Sequence, residues 1–128
     1  MESLKSVLLV FDDLKELEFI EEQLVENGFQ VYKCNTLNDA LVLAERKIPN
    51  LIVINTNDSE INIQSFIGKV KTDRLKDSIL LSLIELEDFL KVSSKEHFVV
   101  KPVRPKLLLS LIRSMMNREK INWLPSFH

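Results

Sequence analysis

Glycine and cysteine are scarce in this chain, and each scarcity excludes a class of function. Two glycines in 128 residues leave no glycine-rich loop to cradle the phosphates of a nucleotide. A single cysteine, Cys34, excludes an intramolecular disulfide and a cysteine-built zinc site. It follows Val31-Tyr32-Lys33 at a strand end, where a half-buried, inert thiol is expected. His97 has no second ligand beside it, so a neutral, partly exposed imidazole is expected there instead of a metal site. No run approaches the roughly 20 apolar residues of a membrane helix. The charged opening Met1-Glu2-Ser3-Leu4-Lys5 does not read as a secretory signal. A reduced, cytoplasmic setting is the default expectation.

What is present suits one soluble domain: 45% hydrophobic and 28% charged residues over a length able to bury a real core. The boundaries read as a domain over 1–120 and an apolar tail over 121–128 that carries Trp123 and Phe127. The tail is expected to fold back on the domain, to meet a second copy or a partner, or else to be disordered. The net charge of -2 hides an asymmetry. Residues 1–90 hold 9 basic and 17 acidic side chains, whereas residues 91–120 hold 8 basic and 2 acidic ones. A split of that kind bears on partners, not on fold.

Five strand-then-helix units follow one another without linker or repeat. The apolar strand 6–11 precedes a helix from about Asp13 to Asn27, with Leu17, Ile20 and Leu24 at helical spacing and Asn27-Gly28 as its stop. Phe29 to Lys33 reads as a second strand. Thr36, with Asp39 three residues on, resembles a capping box for a helix that turns Leu37, Ala40, Leu41 and Ala44 inward. Pro49-Asn50 breaks the chain before the strand Leu51-Ile52-Val53-Ile54. Ser59 can cap a helix carrying Ile63, Phe66, Ile67 and Val70. Ile79 to Leu83 is a fourth strand, followed by a short, weak helix around Glu85 to Val92. The fifth strand, 97–100, leads into a long helix with Pro105 in its first turn and Leu108, Leu111, Ile112 and Met115 inward. Alternation of this kind implies right-handed crossovers and a parallel sheet covered on both faces.

Three strands end in polar chemistry: Phe11 runs into Asp12-Asp13, Ile54 into Asn55, and Val100 into Lys101-Pro102. They would meet at the carboxyl edge of the sheet, where open α/β folds place their sites. With Pro49-Asn50 before the third strand and Val103-Arg104-Pro105 after the fifth, these stretches make residues 4–118 resemble the receiver domain of bacterial response regulators. The resemblance implies a flavodoxin-like doubly wound (βα)5 fold with a five-stranded parallel sheet in order 2-1-3-4-5. It also implies acceptance of a phosphoryl group on an aspartate, assisted by Mg²⁺ and coupled to a partner-binding face.

Carried over residue by residue, the acceptor position holds Asn55, and the acid pair for Mg²⁺ falls on Phe11 and Asp12. Asp13 lies one position later and substitutes only partly. Lys101 keeps the family's lysine. The small hydroxyl ending the fourth strand matches Ser82, with Leu83 fitting an alignment shifted by one. Phe98 matches the aromatic switch. An amide offers no anionic nucleophile for phosphoryl transfer, and Mg²⁺ relies on clustered carboxylates. The expectation is therefore a degenerate pocket without catalysis or bound metal, in which Asp12 and Lys101 neutralise each other directly. Asp58, three residues past the third strand, should point away from Lys101.

The expected function is a pseudo-receiver: a two-component-type signalling module that is not an enzyme and acts through a protein partner. Lys91, Lys95, Arg104, Lys106, Arg113 and Arg118 would present a basic face, drawn from the fourth helix, fifth strand and fifth helix, to an acidic partner. A homodimer is compatible with this, and no membrane is involved. The alternatives are a nucleic-acid or anionic-ligand binder using the same face, or a regulator phosphorylated on a non-standard carboxylate. Nucleic acid is disfavoured by the net negative charge and by the absence of aromatic residues interleaved with the basic ones.

Overall fold

All five apolar runs become strands of one parallel sheet: β1 (Ser6–Phe11), β2 (Gln30–Cys34), β3 (Leu51–Asn55), β4 (Ile79–Ile84) and β5 (Phe98–Val100). Their spatial order is β2-β1-β3-β4-β5, and every neighbouring pair is parallel. The structure, a computed structural model, describes residues 5–72, 74–92 and 94–117. Arg118 and the tail 121–128 lie outside them. Between the strands run α1 (Leu14–Glu26), α2 (Leu37–Lys47), α3 (Glu60–Val70) and the single turn α4 (Leu86–Phe89), with α5 (Pro105–Met116) after β5.

Side chains alternate across a strand, and the sheet accordingly separates two cores. Leu8, Val10, Ile52, Ile54, Leu80 and Ile84 pack with Ala40 of α2 and Phe66 of α3 on one face. Val7, Leu9, Phe11, Val53, Leu81 and Leu83 pack with Ile20 of α1 and Ile112 of α5 on the other. β1 is buried along its whole length and β3 over all but its last residue, which is why both read as unbroken apolar runs.

Local signals set the helix ends. The Asp13, Thr36 and Ser59 side chains accept hydrogen bonds from the backbone N–H three residues on, satisfying donors that α1, α2 and α3 leave free. Gly28, at φ 87°, supplies the left-handed residue that turns the chain after α1 into β2. Pro105 begins α5, where its missing N–H costs nothing. Asn50, just before β3, ties the amino edge of the sheet: its Oδ1 accepts from the Ser6 N–H at 2.8 Å. The shortness expected of the fourth helix is found, since α4 spans only Leu86–Phe89 and buries none of its residues. No helix among the described residues is long and apolar enough to cross a membrane.

Candidate functional site

The carboxyl ends of β1, β3, β4 and β5 open on two adjoining clefts. The larger, about 500 Å³, is lined by Asp12, Asp13, Glu16, Asn55, Asn57 and Lys101. The smaller, about 260 Å³, shares Glu16, Asn55 and Lys101 and adds Leu83, Glu85, Pro102 and Val103. The chain thus brings together Asp12, Asp13, Asn55 and Lys101. Phe11 pairs with Asn55 across β1 and β3, but its ring is 1% exposed and belongs to the core beneath α1 and α5. A buried aromatic ring thus stands where the resemblance implies a second metal-binding acid.

The partners within the pocket differ from those expected of Asp12 and Lys101. These two form no ion pair among the described residues. Instead the loop after β3 satisfies each of them separately: Asp12 Oδ2 accepts from the Asn57 N–H at 2.8 Å, and Lys101 Nζ donates to the Thr56 carbonyl at 2.9 Å. Backbone groups of consecutive residues lie nearer to each side chain than the two charges lie to each other. Asp13 is held by its own helix, accepting from the Glu16 N–H at 3.1 Å. The Lys101–Pro102 peptide is cis.

Sequence reasoning missed Glu16. Its Oε1 accepts a hydrogen bond from Asn55 Nδ2, so the amide at the end of β3 is bound to a carboxylate from the first turn of α1. Burial raises the Glu16 pKa above the usual glutamate value, and the nearby Asp13 adds to the rise. The hydrogen bond from Asn55 and the charge of Lys101 act in the opposite direction without cancelling it. A signal was available: Glu16, Ile20 and Leu24 are spaced i, i+4, i+8, which puts a charge in line with two fully buried residues.

The two alternatives for the hydroxyl position are also separated. Ile54 pairs with Ser82, so Leu83 stands level with Asn55, and Leu83 is the residue that lines the cleft. Ser82 lies on the opposite face, in register with Phe98, and is fully buried. Its hydroxyl has no hydrogen-bond partner among the described residues. Placing Ser82 in the pocket is therefore off by one residue, and an aliphatic side chain stands where a small hydroxyl was expected. Phe98 is buried in the core beneath α2 and α3, beside Ile84 and Val92.

The remaining candidates are distributed as follows. Lys91 and Lys95 are exposed on the segment between α4 and β5. Lys91 Nζ lies 3.9 Å from Asp88, and Lys95 Nζ stands 5.0 Å from the Phe89 ring centre while donating to the Val92 carbonyl. Arg104 precedes α5, and Lys106 and Arg113, seven residues apart on it, are exposed. Leu86, Leu90 and Leu107 are exposed on the same elements. Asp58 lies away from the pocket, bound to the Ser59 N–H and to Asn62 Nδ2. Half-buried His97 has Glu96 as its neighbour at 3.1 Å. Burial pushes the Cys34 thiol up to about 11, consistent with an inert role. No group of three or more His, Cys, Asp or Glu side chains among the described residues is placed to hold a metal ion.

This arrangement of sheet, helices and carboxyl-edge pocket is the response-regulator receiver fold. No family model matches the chain. Among solved structures, the chemotaxis response regulator CheY4 of Vibrio cholerae superposes with a TM-score of 0.70 at 20% identity, covering 88% of this chain and 99% of that one. HP1043, an orphan response regulator of H. pylori, gives a TM-score of 0.72 at 20% identity, covering 87% and 95%. The probable transcriptional regulator ycf29 of Pyropia yezoensis is 26% identical over 119 residues, which span 88% of this chain and 54% of that protein. The chain thus spans about half the length of that curated relative.

Proposed function

We propose that this protein is a pseudo-receiver, a signalling module that works by binding a protein partner without aspartyl phosphorylation. The observation that carries this reading is Asn55: the side chain at the end of β3, in the cleft with Lys101, is an amide hydrogen-bonded to Glu16. An amide has no anionic oxygen to attack phosphorus. Two neighbouring positions reinforce the reading, since Phe11 is packed into the core and Leu83 lines the cleft. The donor set also does not suit Mg²⁺, which demands near-octahedral oxygen ligands and dehydrates reluctantly. Asp12, Asp13 and Glu16 each already accept a hydrogen bond from the protein.

The proposed interaction surface is the α4–β5–α5 side. Exposed Lys91, Lys95, Arg104, Lys106 and Arg113 share these elements and the segments beside them with exposed Leu86, Leu90 and Leu107. Cations around exposed leucines suit an acidic protein surface with apolar anchors better than a bare phosphate backbone. Nucleic-acid binding by the same face is the second reading, favoured by the name of the Pyropia relative, a probable transcriptional regulator. A steep log–log dependence of affinity on salt would mark phosphate contacts and select it. The test of the main reading is intact mass after incubation with Mg²⁺ and acetyl phosphate. An unchanged mass is expected, and a hydroxylamine-labile gain of one phosphoryl group overturns the reading.

A further inference from the structure

We infer that Glu16 is a built-in plug of the degenerate pocket: its carboxylate takes the anion's place beside Asn55 and so excludes phosphoryl groups and free oxyanions. The inference rests on the pseudo-receiver reading and adds a second barrier to it, independent of the missing nucleophile. Glu16 projects from the first turn of α1, where a negative charge is favoured by the helix dipole. It lines both clefts, and its Oε1 accepts from Asn55 Nδ2. That amide donor is thereby already satisfied by a covalently tethered anion.

The charges around the site act in the same direction. Asp12, Asp13, Glu16 and Glu85 line the two clefts, and Lys101 is their one cation among the lining residues. Lys101 directs a bond to the Thr56 carbonyl. An incoming phosphoryl group therefore meets clustered negative charge at a site where Asn55 Nδ2 and Lys101 Nζ each already donate to a protein oxygen, and Glu16 is the member of that cluster bound to Asn55. Restoring the acceptor with Asn55→Asp would set a second carboxylate against Glu16, exchanging a hydrogen bond for like-charge repulsion. Substituting the acceptor alone does not rebuild the site.

The experiment compares Phe11→Asp/Asn55→Asp with the same pair plus Glu16→Gln, each given Mg²⁺ and acetyl phosphate. In the transfer step an oxygen of the introduced carboxylate bonds to phosphorus while the bond from phosphorus to the acetyl oxygen breaks. Acetate leaves with the electron pair, and no other reactant is needed. With the plug removed, the rate of phosphoryl uptake is expected to rise about tenfold or more. Equal uptake with and without Glu16→Gln overturns the inference and leaves the pseudo-receiver reading intact. A wild-type phosphoryl adduct that is abolished by Glu16→Gln overturns both, because Glu16 would then be an acceptor.

Phe11→Asp puts a charge at a core position and can prevent folding, so a second measurement uses the native background. The Asn55 side-chain amide signal is followed by NMR while inorganic phosphate is added to the wild type and to Glu16→Gln. A saturable shift confined to Glu16→Gln is expected, and equal responses in the two proteins overturn the plug.

Discussion

At the scale of single residues, Glu16 has the clearest consequence in solution. Its partial burial and its acidic neighbours make the folded protein hold the Glu16 proton more tightly than the unfolded chain does. The sign of the pH effect follows. The stability tied to that proton is fully present below the ordinary glutamate value of 4.5 and is lost as pH rises through the raised value. Urea unfolding across this range should show the loss in the wild type and its absence in Glu16→Gln, which also keeps an oxygen to accept from Asn55. The same descent in both proteins would assign it to another group. Glu16 also shows why the pocket was only partly legible in the sequence. Asn55, Asp12 and Lys101 are identified by their places at strand ends. The partner that each one takes depends on the loop over 55–57 and on the rotation of α1, which periodicity does not report to the precision of one hydrogen bond.

At the scale of elements, β4 carries the instructive contrast. It is apolar on both faces except for Ser82, so no polar–apolar alternation marks which residue faces the carboxyl-edge pocket. The sheet register supplies that phase, and Leu83 takes the pocket side. The helix caps were legible because Asp13, Thr36 and Ser59 act through bonds three residues long. Two serines of this region should respond oppositely to truncation. Ser78, just before β4, is buried and donates through Oγ to the Pro49 carbonyl at 2.6 Å. Ser78→Ala should cost about 1–3 kcal/mol, since it removes the bond and leaves a buried acceptor unpaired. Ser82, fully buried with no partner for its hydroxyl among the described residues, already bears a desolvation cost. Ser82→Ala should be neutral or stabilising by up to about 1–3 kcal/mol. Chemical denaturation of both variants checks the pair, and a large loss in Ser82→Ala would reveal an unseen partner of the hydroxyl.

At the scale of the whole molecule, the fold was legible because five apolar runs at strand length leave a parallel (βα)5 sheet as the natural way to bury them. The charge split then lies across that fold. Asp12, Asp13, Glu16 and Glu85 line the carboxyl-edge clefts around Lys101, whereas Lys91, Lys95, Arg104, Lys106 and Arg113 are exposed on or beside α4, β5 and α5. Added Mg²⁺ at millimolar concentration should leave the melting temperature unchanged. A metal bound at about 100 times its dissociation constant would stabilise by roughly 2.7 kcal/mol, and a saturable rise of that kind would show that Asp12, Asp13 and Glu16 together suffice as ligands.

The basic side has a separate test. If it steers an acidic partner, charge reversal at Arg104, Lys106 and Arg113 should slow association at low salt. The difference should shrink as the screening length falls below about 10 Å near 0.1 M salt. Asp12→Ala, on the pocket side and exposed, should leave association nearly unchanged under the same conditions. The two sets of changes lie on different elements of one domain, so their effects should add when combined. Surface plasmon resonance across a salt series, with a partner captured from the source cells, reads both. A loss confined to Asp12→Ala would mean that the carboxyl-edge pocket, for all its missing chemistry, is the surface through which the protein acts.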